Sequence, residues 1–203
     1  MDMEKILEAF RKNRYEASYF ATAEEAAEYL DSKIDNKLVG LGDSQTLVAL
    51  GLYQRLIKHN TVHDVQQSPE AQGMGFKEHA KSTLLTDIFL CSANAVTEDG
   101  IVVNMDGTGN RVAASLFGHE KVYYVIGINK ICPTLEDAIW RIRNIAAPMN
   151  CHRKHKKTPC AIKGDKCYNC SSPERICNGL LIEYKKMSNM DMEVVIIGEK
   201  LGF

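Results

Sequence analysis

Apolar positions along the chain alternate between helical and strand-like spacing. Ile6, Leu7 and Phe10 share one face of a predicted first helix, and residues 16–21 then read as a strand. Thr22, with Glu25 three residues on, has the form of a capping box and opens a helix through Leu30. The run 38–41 predicts a short buried strand. Gly42-Asp43-Ser44 then turns the chain into a helix carrying Leu47, Leu50, Leu52 and Leu56. Another short strand is expected over 61–65, followed by a polar, glycine-containing loop through Gly75.

Residues 86–93 and 101–104 read as strands flanking the turn Glu98-Asp99-Gly100, since Asp-Gly is a strong hairpin signal. A helix over 110–117 should end at Gly118, a natural left-handed cap. KVYYVIGI, from Lys121, is the clearest core strand. Thr134 with Asp137 opens a helix whose Leu135, Ala138, Ile139, Ile142 and Ile145 form one stripe, stopped by Pro148. Residues 180–184 and 192–197 are two further strands. Alternating strands and helices predict an α/β fold with an open, largely parallel sheet and flanking helices. We expect one domain over 1–203, with residues 151–178 a cysteine-rich excursion.

Composition narrows the function. At 203 residues and 45% hydrophobic, the chain can build its own core. Its 25 basic and 26 acidic residues argue against nucleic acid as a partner. No apolar run reaches the ~18 residues of a membrane span. The charged, amphipathic start MDMEKILEAFRKNRYE does not resemble a signal peptide. A cytoplasmic setting is therefore expected, where thiols stay reduced and the seven cysteines read as metal ligands or buried apolar groups.

Cys160, Cys167, Cys170 and Cys177 follow a C-x6-C-x2-C-x6-C pattern in a loop rich in turn residues. With little to bury, such a loop gains order from metal–thiolate bonds. A [4Fe–4S] cluster and a four-thiolate zinc site both fit the ligand count, and the spacing does not choose between them. Cys151 reads as an uninvolved thiol, Cys91 and Cys132 as small buried hydrophobes. The basic run 152–157 is read first as a solvated loop, with steering of an anion as its functional alternative.

Two further segments suggest a ligand pocket. Gly42, Ser44 and Thr46 lie at a strand-to-helix turn whose amides and hydroxyls suit a phosphate or carboxylate, although Ser44 is equally an ordinary N-cap. The second segment contributes Asn94, Asn104, Asp106, Gly107, Asn110 and Arg111, polar residues at strand ends where α/β proteins bind ligands. Arg111 can pair with an anion, Asn110 can cap the following helix, and Lys130 can add a cation to the same rim. Glu98 is a candidate general base, with a solvated hairpin carboxylate as the plainer reading.

The string CSANAVTEDGIVVNMDGTGNRVAASLFGHEKVYYVIGINKI, with LGDSQTL before it and RIRNIAAPMN, TPCAIKGDKCYNCSSPERICN and GEKLG after it, resembles the lactate-utilization (LUD) domain proteins of bacteria and archaea. The resemblance runs from about residue 10 to Phe203. It implies a fold like ribose-5-phosphate isomerase and the CoA transferases, and a role beside redox subunits of an iron–sulfur-containing, lactate-oxidising complex. The four cysteines match the pattern of the family's short members, whereas the basic run is heavier than theirs and Cys151 is extra. We therefore expect a binder of a small anionic metabolite carrying a cysteine-ligated [4Fe–4S] centre. If it is an enzyme, it would be an oxidoreductase component of lactate metabolism. The alternatives are a non-redox isomerase or acyl-transferase-like enzyme with structural zinc, and a regulatory subunit. Exposed sheet edges leave room for a homodimer.

Overall fold

The computed structural model describes residues 1–69 and 75–203. Part of the loop expected through Gly75, residues 70–74, lies outside the described residues. Helix α1 (Met3–Lys12) precedes β1 (Glu16–Phe20), and α2 (Ala23–Lys33) leads to β2 (Leu38–Leu41). Helices α3 (Gln45–Ala49) and α4 (Leu52–Leu56) are followed by β3 (Thr61–Asp64) and α5 (Phe76–Ser82). Then come β4 (Ile88–Cys91), β5 (Ala95–Thr97), β6 (Val102–Asp106), α6 (Asn110–Leu116), β7 (Lys121–Gly127) and β8 (Ile131–Cys132). A long helical segment joins α7 (Leu135–Arg141), a π-helical stretch (Ile142–Ala146) and α8 (Ala147–Arg153). The chain then runs through α9 (Pro159–Lys163), β9 (Gly179–Glu183) and β10 (Asp191–Ile197).

Six strands in the order β1-β10-β7-β4-β2-β3 make an all-parallel sheet flanked by helices. Such a sheet is covered on both faces, so its inner strands are largely apolar rather than alternating, whereas the edge strands β1 and β3 carry polar residues. In β10, Val195 and Ile197 join Leu30, Val39, Leu41 and Leu56 on one face, while Val194 and Ile196 join Phe10, Phe89 and Tyr124 on the other. Each such side chain, fully buried, stabilises by roughly 1.5–3 kcal/mol.

The expected hairpin exists, with different arms. Residues 88–91 belong to the main sheet, and the strands around Glu98-Asp99-Gly100 are β5 and β6. They form a second, four-stranded sheet in the order β8-β5-β6-β9, packed under α7 through Ala95, Val103, Cys132, Ala138 and Ile142. Gly100 is obligatory at the turn: its φ is 82° and an added Cβ would sit 2.9 Å from the Ala9 carbonyl oxygen.

Two other expectations need correction. The helix through Leu56 is broken at Gly51, whose φ of 62° ends α3 and starts α4. Pro148 does not stop its helix, which continues to Arg153. Proline removes one N–H donor and crowds the carbonyl four residues back. The π-helical stretch just before it, with the Ala147 N–H donating to the Ile142 carbonyl five residues back, loosens the ladder where proline needs space.

Candidate functional site

The C-terminal ends of β2, β4 and β7 open into a cleft of about 460 Å³. Ser44, Asn94, Asp106, Gly107, Asn110, Arg111 and Lys130, all singled out in the sequence, line it together. Gly42, Thr46 and Asn104 sit behind the wall. The Gly42 N–H donates to the Leu90 carbonyl and continues the β2–β4 pairing. An added Cβ at Gly42 would meet the Cys91 Cβ at 3.2 Å. Glu98 lies in the exposed β5–β6 turn and lines neither this cleft nor the cysteine cavity described below, so a role as general base has no geometric support.

Arg111 is held by the protein itself. Its Nε donates to Asp106 at 2.9 Å, its Nη1 to the Ser92 carbonyl, and its Nη2 to the Asn94 side chain and the Met105 carbonyl. Asp106 also accepts the Val112 N–H at 3.0 Å and thereby caps α6, the task expected of Asn110. Asn110 instead accepts from the Thr108 hydroxyl. The Asn104 side chain accepts the Asn94 N–H at 3.0 Å and the Asn94 side chain accepts the Met105 N–H at 2.8 Å, which ties the β4–β5 connection to β6. Arg111 therefore builds the rim, with most of its donors already engaged.

Lys130 is a buried cation with capacity left. It is 3% exposed, and its Nζ donates to the Ser92 hydroxyl at 2.8 Å and the Thr46 hydroxyl at 3.0 Å. It makes no salt bridge among the described residues. Burial pushes its amine down to about 7, helped by the positive charges of Arg141 and Arg111. Ser44 acts as the N-cap of α3, accepting the Leu47 N–H, which fulfils its plainer reading while it lines the cleft.

Much of the basic run forms the opposite wall. Arg153, Lys154 and Lys156 line the cleft. Arg153 and Lys154 both pair with Asp43, which sits at the β2–α3 turn. Burial raises the Asp43 carboxyl, and the pairs with Lys154 and Arg153 outweigh it, leaving the group below its ordinary value. Charge pattern alone reads as a solvated loop; the helix continuing through Pro148 carries these residues to the site.

A second cavity, of about 190 Å³, abuts the first. Cys160, Cys167, Cys170 and Cys177 all line it, and so does Cys151, the thiol set aside in the sequence. Burial pushes the Cys151 thiol up. The sulfurs are met by donors: the Asn169 N–H lies 3.3 Å and Arg143 Nη2 3.8 Å from Cys167 Sγ, and Arg175 Nη2 3.4 Å from Cys177 Sγ. Arg143 and Asn144 come from the π-helical stretch, and the Asn144 side chain accepts the Cys167 N–H. Among the described residues, no three Cys, His, Asp or Glu side chains converge closely enough for a single metal ion. Four thiolate donors with N–H groups aimed at the sulfurs fit an iron–sulfur cluster. Arg175 and Met105 line both cavities. Sequence reasoning missed Arg143, Ser92 and the bridging place of Arg175; an arginine inside a thiol-rich loop was the available signal.

A family model described as the LUD domain matches residues 3–197. A DUF162 family protein from Deinococcus radiodurans has a similar structure, with a TM-score of 0.54 and 11% identity over 98% of this chain and 99% of that one. That likeness is one of fold. No curated protein matches the sequence. No helix among the described residues is long and apolar enough to cross a membrane.

Proposed function

The chain belongs to the LUD-domain family, and from that premise we propose that it binds a small 2-hydroxy- or 2-oxo-carboxylate beside a cysteine-ligated [4Fe–4S] cluster, as a redox or accessory subunit of lactate or related organic-acid utilization. The observation that carries this reading is the adjacency of two unlike cavities. One has a cationic wall of Arg153, Lys154 and Lys156 around a buried lysine that makes no salt bridge among the described residues, and the other is walled by thiols. A carboxylate entering the cleft would give Lys130 a negative partner. An unpaired buried ammonium is costly, and an anion beside it offsets part of that cost.

Within the cleft, each group has a distinct task. Lys130 attracts the carboxylate and can hold or release a proton near neutral pH. Ser92 and Thr46 fix the amine through their hydroxyls. Arg111, locked onto Asp106, keeps the β6–α6 connection in shape and contributes positive field without donating to the ligand directly. The cluster, when bound by Cys160, Cys167, Cys170 and Cys177, supplies one-electron transfer. Four cysteines walling one cavity, with N–H donors at two of the sulfurs, support the cluster reading.

Anaerobic purification followed by iron and acid-labile sulfide analysis tests the cluster, which should add absorbance near ~400 nm. Calorimetry with pyruvate and L-lactate tests the cleft. Stoichiometric zinc without iron, or no binding of either acid, would sink the proposal.

A further inference from the structure

We infer that Arg175 couples the two cavities, so that an anion in the cleft and the electron count of the cysteine-bound centre alter each other's free energy. This inference rests on the function proposed above and adds regulation to the same site.

The two cavities share a continuous protein wall. Arg175 donates through Nη1 to the Cys170 carbonyl at 2.6 Å and through Nη2 to the Cys177 carbonyl at 2.8 Å and Cys177 Sγ at 3.4 Å. Its guanidinium therefore grips the backbone of two expected ligands and the sulfur of one. Its Nε is buried and makes no hydrogen bond among the described residues, so the group is not saturated. On the other side, Arg175 and its neighbours Glu174 and Ile176 form part of the cleft wall.

That wall is fixed to the anion rim. The Asn178 N–H donates to the Asp106 carbonyl at 2.9 Å, and the Asn178 side chain donates to the Gly107 carbonyl at 3.1 Å. Gly107 lies so close that an added Cβ would sit 3.0 Å from the Ile176 Cα. The loop bearing Cys170 and Cys177 cannot shift without moving the rim. One positive charge serves both cavities in a partly buried setting, where solvent screening is weak.

The direction of coupling follows from charge. An anion in the cleft neutralises or turns the guanidinium and removes positive field from the sulfurs. Adding an electron to the centre then becomes harder, and its potential falls. By reciprocity, the oxidised protein binds the anion more tightly than the reduced protein. Arg175 is a positioning residue here: it acts through the centre and the rim and touches no reacting atom.

The test is a dye-mediated reductive titration of the anaerobically purified full chain, with and without saturating pyruvate. It compares wild type with Arg175→Lys and Arg175→Gln, and calorimetry monitors pyruvate binding in each. Pyruvate should bind roughly tenfold more tightly to oxidised wild type, a downward shift of about 59 mV for a one-electron couple. Arg175→Lys should keep part of the shift. Arg175→Gln should lose it in the fraction of protein that retains iron, to which the titration is normalised. If pyruvate binds and the wild-type potential stays put, the inference is overturned and the proposed function survives. If the protein holds no cluster or binds no pyruvate, both fall. Should Arg175→Gln fail to fold, Arg175→Lys decides: a shift there equal to that of wild type would overturn the inference.

Discussion

The amine of Lys130, at the end of β7, stands 2.8 Å from the hydroxyl of Ser92, just beyond the end of β4. The two hold neighbouring strands of the parallel sheet together at the floor of the cleft, and no carboxylate pairs with the amine among the described residues. This arrangement leaves the lysine poised for a ligand rather than committed to the protein.

Pyruvate affinity should consequently depend on pH. The Lys130 amine titrates at about 7, so it is charged below that value and neutral above it. Binding should be tightest in mild acid and weaken as pH rises through neutrality, with the bound anion moving the midpoint upward. Lys130→Met should weaken binding at low pH by roughly tenfold, about 1.4 kcal/mol, and flatten the profile. Calorimetry from pH ~6 to ~9 checks this, and a variant that retains the wild-type slope would remove Lys130 from the site.

Glu183 should set a second pH dependence, this time in stability. The residue is 1% exposed, accepts a hydrogen bond from the Tyr124 hydroxyl through Oε1, and leaves Oε2 without a partner among the described residues. Burial pushes its carboxyl up to about 7, against the opposing hydrogen bond from Tyr124. The folded chain therefore holds a proton that the unfolded chain releases at the ordinary carboxylate value of 4.5. Stability contributed by this group is present below that value and lost as pH climbs through about 7. Glu183→Gln keeps an acceptor for Tyr124 and should raise stability at pH ~8 by on the order of 1–3 kcal/mol. Urea midpoints at about pH 5 and 8 should differ less in the variant than in wild type.

Gly107→Ala should disturb the cysteine loop more than the main fold. The new methyl would face Ile176 backbone at 3.0 Å, and backbone gives way less easily than a side-chain tip. We expect a cost of about 1–3 kcal/mol, with iron content falling at reconstitution. Far-ultraviolet circular dichroism should be unchanged. Gly109→Ala is the control: its φ of 83° strains any side chain, yet nothing lies within 4 Å, so iron content should hold. Equal iron loss in both variants would mean that the Gly107–Ile176 contact has no special part.

The sequence exposed the features decided by local chemistry. The Thr22–Glu25 capping box forms as expected, Thr134 accepts the Asp137 N–H, and the runs at 38–41, 121–127 and 192–197 become strands of the parallel sheet. Long-range geometry was less legible. Nothing local separates 88–91 from 95–97, because the break between sheets is made by Asn94, whose partners Met105 and Arg111 lie far along the chain. Pro148 read as a stop because π-helical relief leaves no clear sequence trace. Residues 152–157 read as solvated because their acidic partner, Asp43, is more than a hundred positions away. Pocket residues with polar side chains at strand ends were found. Glu98 shared that composition but sits in the exposed turn.

Five thiols face the small cavity, and a [4Fe–4S] cluster takes four from protein. Cys151 differs from the rest. It is 1% exposed on α8, within a regular helix, whereas the others sit on α9 or the loop after it, are partly exposed, and bear N–H or hydroxyl contacts at three of the four sulfurs. Burial disfavours its thiolate, the form that binds metal. Cys151→Ser should therefore keep full iron and sulfide content, losing only packing worth roughly 1 kcal/mol. Cys167→Ser, Cys170→Ser or Cys177→Ser should each lose most of the cluster and leave the loop sensitive to proteolysis. Iron retained in the loop variants but lost in Cys151→Ser would reverse the ligand assignment and move the centre toward the helix.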